Sequence, residues 1–139
     1  MRRAAQQLVV ATVLASAFCW TGCGKATADV VLARKAVEQF HARMDARDYA
    51  GIYAAADEQY KASVPEARST AVLSRVRGAV GKHKSSSQTG FSVNFKNGVN
   101  LVKLTFQSEF EERPIEETFE FIVRGPEAKL FHYQTKSKD

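Results

Sequence analysis

Between Leu101 and Glu111 the chain alternates, with Val102, Leu104, Phe106, Ser108 and Phe110 in one set of positions and Lys103, Thr105, Gln107, Glu109 and Glu111 in the other. Successive side chains on a strand point to opposite faces, so this segment predicts a strand with one face in a core and the other in water. A slip of one residue would bury the charged set, which fixes the register. The neighbouring segments share the two-residue period. "FSVNF" places Phe91, Val93 and Phe95 on one side of a preceding strand, and Asn97-Gly98 is a strong two-residue hairpin signal. Arg113-Pro114 marks a turn, "IEETFEFIV" a third strand, Gly125-Pro126 another turn and "AKLFHYQT" a fourth strand. The polar run "KHKSSSQTG" at 82–90 reads as a loop.

Before Phe91 the period is helical. Asp29 is placed to cap a helix whose Ala33, Val37, Phe40 and Met44 recur at steps of four, three and four, forming an inward stripe. "DARDYAG" interrupts it, and Asp48 is a second cap, ahead of Ile52, Tyr53, Ala56 and Tyr60. A third helical segment opens near Pro65, carries Ala71, Val72, Val76 and Val80, and ends at Gly81. Helices followed by an antiparallel meander define an α+β fold, with N-terminal helices packed on a curved four-stranded antiparallel sheet.

The first residues follow a different logic. Arg2 and Arg3, an apolar run from Leu8 to Phe18 and a short small or polar segment have the three-part form of an export signal. The run is too short for a hydrocarbon core that needs about 20 residues. The chain's two cysteines, Cys19 and Cys23, fall at its end. Trp20-Thr21-Gly22-Cys23 resembles the lipobox of bacterial lipoproteins, which implies acylation of Cys23 and cleavage just before it. Trp20 stands where that pattern usually has Leu. Ala15-Ser16-Ala17 and Ala26-Thr27-Ala28 suit an ordinary signal-peptidase cut, and a small local disulfide between the cysteines is a further alternative. The expected division is a signal over 1–22, a tether over 23–28 and one α+β domain over 29–139. The expected location is the bacterial cell envelope, lipid-anchored and facing the periplasm on the outer membrane, with a soluble periplasmic protein as the alternative.

The whole chain carries a formal charge of +5, and losing Arg2 and Arg3 leaves about +3. That is not a nucleic-acid signature, and an exported protein has little opportunity to meet DNA or RNA. The charge is segregated. Lys61, Arg68, Arg75, Arg77, Lys82 and Lys84 face only Glu66, whereas Glu109, Glu111, Glu112, Glu116, Glu117 and Glu120 face only Arg113. Such runs are ordinarily solvated faces of half-buried elements. The seven-residue spacing of Arg68, Arg75 and Lys82 would also put them near one helix face, a candidate basic docking face for an anionic lipid surface or acidic partner. Internal pairing with Glu109, Glu111 and Glu117 is the other reading.

Three groups of residues resemble small bacterial exported proteins of the nuclear-transport-factor-2-like superfamily. They are "DARDYAGIY" at 45–53, the set Leu73, Arg77, Val80 and Gly81, and "LVKLTFQSEF", "IEETFEFIV" and "AKLFHYQ" within 101–134. The resemblance implies a cone, with a curved sheet wrapped against helices. These are packing and turn motifs, with no catalytic signature.

No paired His or mature Cys shows metal-ligand spacing, so no metal or cofactor is expected. There is also no glycine-rich phosphate loop or nucleophile elbow. The acidic run could attract calcium, but alternation divides its carboxylates between two strand faces. Enzymes of the superfamily place Asp, His or Tyr in the mouth of the cone, which makes His41, Asp45, Tyr49, Tyr53, His132 and Tyr133 the possible pocket residues. Each also has an ordinary structural role open to it, and no acid/base pair is visible in the sequence. The expected function is therefore a non-enzymatic envelope domain that binds a partner protein or a small apolar ligand. The alternative is a small hydrolase or isomerase using Tyr, His and Asp groups. An interior filled by Phe95, Phe106, Phe119, Phe121 and Tyr53 would leave only surface interaction.

Overall fold

The computed structural model describes residues 23–138. The signal expected over 1–22 lies outside the described residues. Four helices, α1 (Cys23–Asp45), α2 (Tyr49–Ala55), α3 (Glu58–Ser63) and α4 (Glu66–Val80), precede four strands, β1 (His83–Lys96), β2 (Val99–Phe110), β3 (Ile115–Arg124) and β4 (Glu127–Ser137). The strands form one antiparallel meander in the order β1-β2-β3-β4. The helices pack on one face of this sheet, and α1 touches all four strands. The architecture is the expected α+β arrangement of N-terminal helices on a four-stranded antiparallel sheet. No described helix is long and apolar enough to cross a membrane.

The helix boundaries follow local chemistry. Helix α1 starts at Cys23, so the segment expected as a tether is helical and Asp29 lies inside the helix. There Asp29 is buried and accepts a hydrogen bond from the Asn100 side chain at 2.5 Å, which fastens α1 to β2. Asp48 caps α2 as expected, its carboxylate accepting from the Gly51 amide at 2.9 Å. The expected second helix is in fact two. Asp57, which is buried, breaks it by capping α3 at Gln59 N and pairing with the Arg124 guanidinium.

The stripe Ala33, Val37, Phe40 and Met44 is buried, as its spacing requires. On α4 the face differs from the expected one. Ser69, Leu73, Arg77 and Val80 are buried, whereas Val72 is 45% exposed. The buried residues recur at steps of four, four and three, so Val72 lies off the stripe. Three of them, with Gly81 at the left-handed cap, are the packing set noted in the sequence. The Nε of Arg77 is buried and has no hydrogen-bond partner among the described residues.

In the sheet, Val102, Leu104, Phe106, Ser108 and Phe110 are all buried. Asn97 and Gly98 both have positive φ, 51° and 79°, the conformation that a tight primed hairpin turn demands. The segment 82–90 is not a loop. From His83 onward it pairs with β2, with register shifts between His83 and Ser85 and between Gln88 and Gly90. Its serines suit a strand here because Ser86 has a hydroxyl partner on β2, and the shifts absorb the irregular spacing. A second departure is on the apolar side of β1. Phe91 and Phe95 pair with Leu104 and Asn100, yet are 65% and 76% exposed, so their rings are left largely uncovered on the core side of β1.

Candidate functional site

Strand β3 alternates Ile115, Glu117, Phe119, Phe121 and Val123 toward the helices, and all five are buried. Glu117 is therefore a carboxylate on the core face, with 0% exposure. A buried charge survives only with partners. His41 Nε2, from α1, donates to Glu117 Oε2 at 2.8 Å, and Ser108 Oγ, from β2, donates to the same oxygen at 2.6 Å. Tyr133 OH, from β4, donates to Oε1 at 2.8 Å. Three elements thus converge on one side chain of a fourth.

The network continues with a fixed direction. Because the Ser108 hydroxyl proton is committed to Glu117, its oxygen accepts from Ser86 Oγ at 2.7 Å. The Ser86 proton is then committed too, so Ser86 accepts from His83 Nε2 at 2.6 Å. His83 in its neutral form therefore carries its proton on Nε2. The backbone N–H of His83 donates to Asp45 Oδ1 at 3.0 Å, joining the end of α1 to the start of β1. His41 and His83 stack with ring centroids 3.8 Å apart, and the rings of Phe40, Phe110 and Phe119 surround His41.

The electrostatics follow from this geometry. Burial would push the Glu117 carboxyl up, but the hydrogen bond and charge of His41, with the Ser108 and Tyr133 hydroxyls, hold it below the ordinary value. Burial and the neighbouring His41 push His83 down, against a smaller pull from Glu117 and Asp45. Burial raises the Tyr133 phenol well above its usual value, and the Glu117 charge adds to that.

Of the six possible pocket residues, His41 and Tyr133 meet at Glu117, and Asp45 joins through His83. The others are elsewhere. Tyr53 donates to Val64 O at 2.9 Å and ties α2 to the end of α3, Tyr49 packs at the core margin, and His132 is exposed on the other sheet face beside Gln134. Lys82 lies beyond the Gly81 cap, off the helix that carries Arg68 and Arg75, although all three are exposed. No ion pair joins them to a carboxylate among the described residues. The side chain of Cys23 lies outside what the structure describes.

Glu117, Ser108, Ser86 and His83 are not among the possible pocket residues read from the sequence, where Glu117 belongs to an acidic run whose composition suits solvent. Its signal was nonetheless present, as the one charged residue on the apolar side of the β3 alternation. Chemically the cluster has the makings of an acid/base pair. It is also closed. Glu117 and Ser108 are both 0% exposed, and Phe40, Phe106, Phe119 and Phe121 pack ring against ring beside them. Hollows of about 40 to 440 Å³ indent the surface, and those along α1, α3 and the hairpin ends are not lined by Glu117, His41, Ser108 or Tyr133. Among the described residues no group of three His, Cys, Asp or Glu could hold a metal ion. The chain matches no family model and no curated protein.

Proposed function

We propose that this is a lipid-anchored protein of the bacterial cell envelope, held at the membrane through Cys23, whose domain is a non-enzymatic interaction module working through its surface. The observation that carries the second half is the closed interior. A general acid or base must lie within hydrogen-bond reach of the substrate atom it serves, and Glu117 spends its proton-accepting capacity on His41, Ser108 and Tyr133 with no exposed surface. The network acts as a polar pin that sets the register of α1, β2, β3 and β4. Trp20-Thr21-Gly22-Cys23 supports the anchor, and the strand shifts with helices on the core face are in keeping with a nuclear-transport-factor-2-like cone.

The hydrolase or isomerase reading retains one observation in its favour, the contact between His41 and Glu117. Mass spectrometry of the native protein, recovered with whatever co-purifies, reads the processing site and any bound molecule together. Acylated Cys23 as the first residue, with a protein partner, fits the proposal. A small molecule retained in the interior would favour the enzyme. Release of a Cys23→Ser chain from the membrane fraction is expected, because the acyl chains supply the attachment.

A further inference from the structure

Strand β1 is an edge strand whose core-side residues Phe91 and Phe95 are 65% and 76% exposed, while Val93 between them packs on the core. The helix opposite continues the apolar surface. Arg34 of α1 donates through Nε to the Gln88 side chain on β1 at 2.6 Å, so the flank of α1 bearing Arg34 faces this edge. Val31, one turn earlier on that flank, is 56% exposed. Three large exposed apolar side chains thus lie on the facing flanks of α1 and β1. Lys96, next to Phe95 at the hairpin tip, is exposed on the other face of the sheet, where it shares a hollow with Leu101 and Ile122.

The place where the chain enters the domain argues for what covers this surface. Helix α1 runs from the hairpin end of the sheet, where Asp29 is fastened to Asn100, to the far end, where Asp45 holds His83. Asn100 is the pairing partner of Phe95. Phe95, Asp29, Gly98 and Arg124 share one hollow of about 330 Å³ at that end. Cys23 begins α1 six residues before Asp29, about 9 Å further out. An acyl anchor on Cys23 would therefore attach at the end where Phe95 projects.

We propose that the Phe91–Phe95 edge of β1, with Val31, is a membrane-docking surface that seats these side chains in the interfacial region of an anionic bilayer, with Arg34 meeting lipid phosphates. The proposal rests on the reading of Cys23 as the anchor. Apolar side chains flanked by cations bind bilayer interfaces by area burial plus attraction to anionic headgroups. One acyl anchor fixes position but not orientation. A second, weak contact at the same end of the domain would fix which face is presented to the periplasm.

Trp20 is the chain's sole tryptophan and leaves with the signal when Cys23 becomes the first residue. The full chain carrying Phe95→Trp, purified as cells make it, is placed with vesicles of phosphatidylethanolamine and phosphatidylglycerol, with and without brominated acyl chains. Wild type is the blank and Val72→Trp, exposed on α4, is the control. The expected result is a blue shift and loss of emission on brominated vesicles for Phe95→Trp, with Val72→Trp unaffected. Emission that brominated lipid leaves unchanged overturns the proposal. A blue shift without bromine quenching, with a dimer found on cross-linking, also overturns it and assigns the edge to a second copy. Intact mass of the same samples separates the two readings. An acylated but unquenched chain refutes docking alone, and a quenched chain without acylation refutes the anchor alone.

Discussion

The imidazole of His41 lies on that of His83, with ring centroids 3.8 Å apart and planes within 11°. Two cations at that distance would repel, and His83 is the ring driven toward neutrality. Its Nε2 proton then starts the relay of hydrogen bonds that ends on Glu117. The stack is therefore linked to pH. An unfolded chain protonates His83 near its ordinary value of 6.5, while the folded chain does so lower. The unfolded state binds more protons between those values, so stability falls as pH drops through 6.5 toward the folded value. Glu117 acts the same way further down, its contribution present above its ordinary 4.5 and lost as pH falls through its lower folded value. Tyr133 sets the alkaline limit, since its raised pKa costs stability above pH 10. Melting temperatures from pH 8 to 5 should decline in wild type and decline less in His83→Gln, where the relay donor no longer titrates. Equal slopes would remove His83 from this role.

Replacing Glu117 itself should show how much the pin matters. Glu117→Ala leaves His41 Nε2 and the Ser108 and Tyr133 hydroxyls without their acceptor in a closed interior, at a cost of about 3–5 kcal/mol. Glu117→Gln keeps the shape and part of the hydrogen bonding, and should cost less. Urea unfolding at neutral pH measures both. A loss for Glu117→Ala within about 0.5 kcal/mol, the range of ordinary surface changes, would show that the network does not hold the sheet to α1.

Phenylalanine offers a matched pair on the same sheet face. Phe119 is 0% exposed and contacts Phe40, Phe106 and Phe121, so Phe119→Ala should cost about 3–5 kcal/mol in lost transfer energy and cavity. Phe95→Ala, at 76% exposure, should stay within about 0.5 kcal/mol. Chemical denaturation of both variants checks the contrast, and a large loss for Phe95→Ala would mean that this ring is covered in solution.

The legible parts of the sequence were those in which one physical rule acts alone. Period-two alternation placed β2 residue by residue, and Asn97-Gly98 marked the turn because these residue types tolerate the positive φ that it needs. The rest depended on competition between rules. The serines of 82–90 favour turns locally, yet Ser86 sits in a strand because Ser108 gives its hydroxyl a partner across the ladder. Phe91 and Phe95 obey the strand alternation, but alternation says only which face they take. Whether α1 extends over that edge is a tertiary fact. The buried site was half legible, in that His41 and Tyr133 flank apolar stripes in the sequence. Glu117 was hidden among six glutamates whose composition suggested solvent.

The exposed cations of α4, with Lys82 just beyond its cap, make the last test. Arg68 and Arg75 have no carboxylate partner among the described residues, and Lys82 meets Glu111 only through its backbone, its N–H donating to the carboxylate at 3.0 Å. Helix α4 leads through Gly81 to the end of the sheet where His83 meets Asp45, the opposite end from the hairpin tip and Cys23. Changing Arg68, Arg75 and Lys82 to Gln should therefore leave stability within about 0.5 kcal/mol. It should also leave vesicle association intact, because the apolar edge bearing Phe95 lies at the other end of the sheet. In a Cys23→Ser chain, which has no anchor to mask weak binding, co-sedimentation with phosphatidylglycerol vesicles at low and high salt measures the association directly. Binding that survives the triple change but falls in Phe95→Ser places the docking surface at the hairpin end. Binding lost in the triple variant would move it to α4.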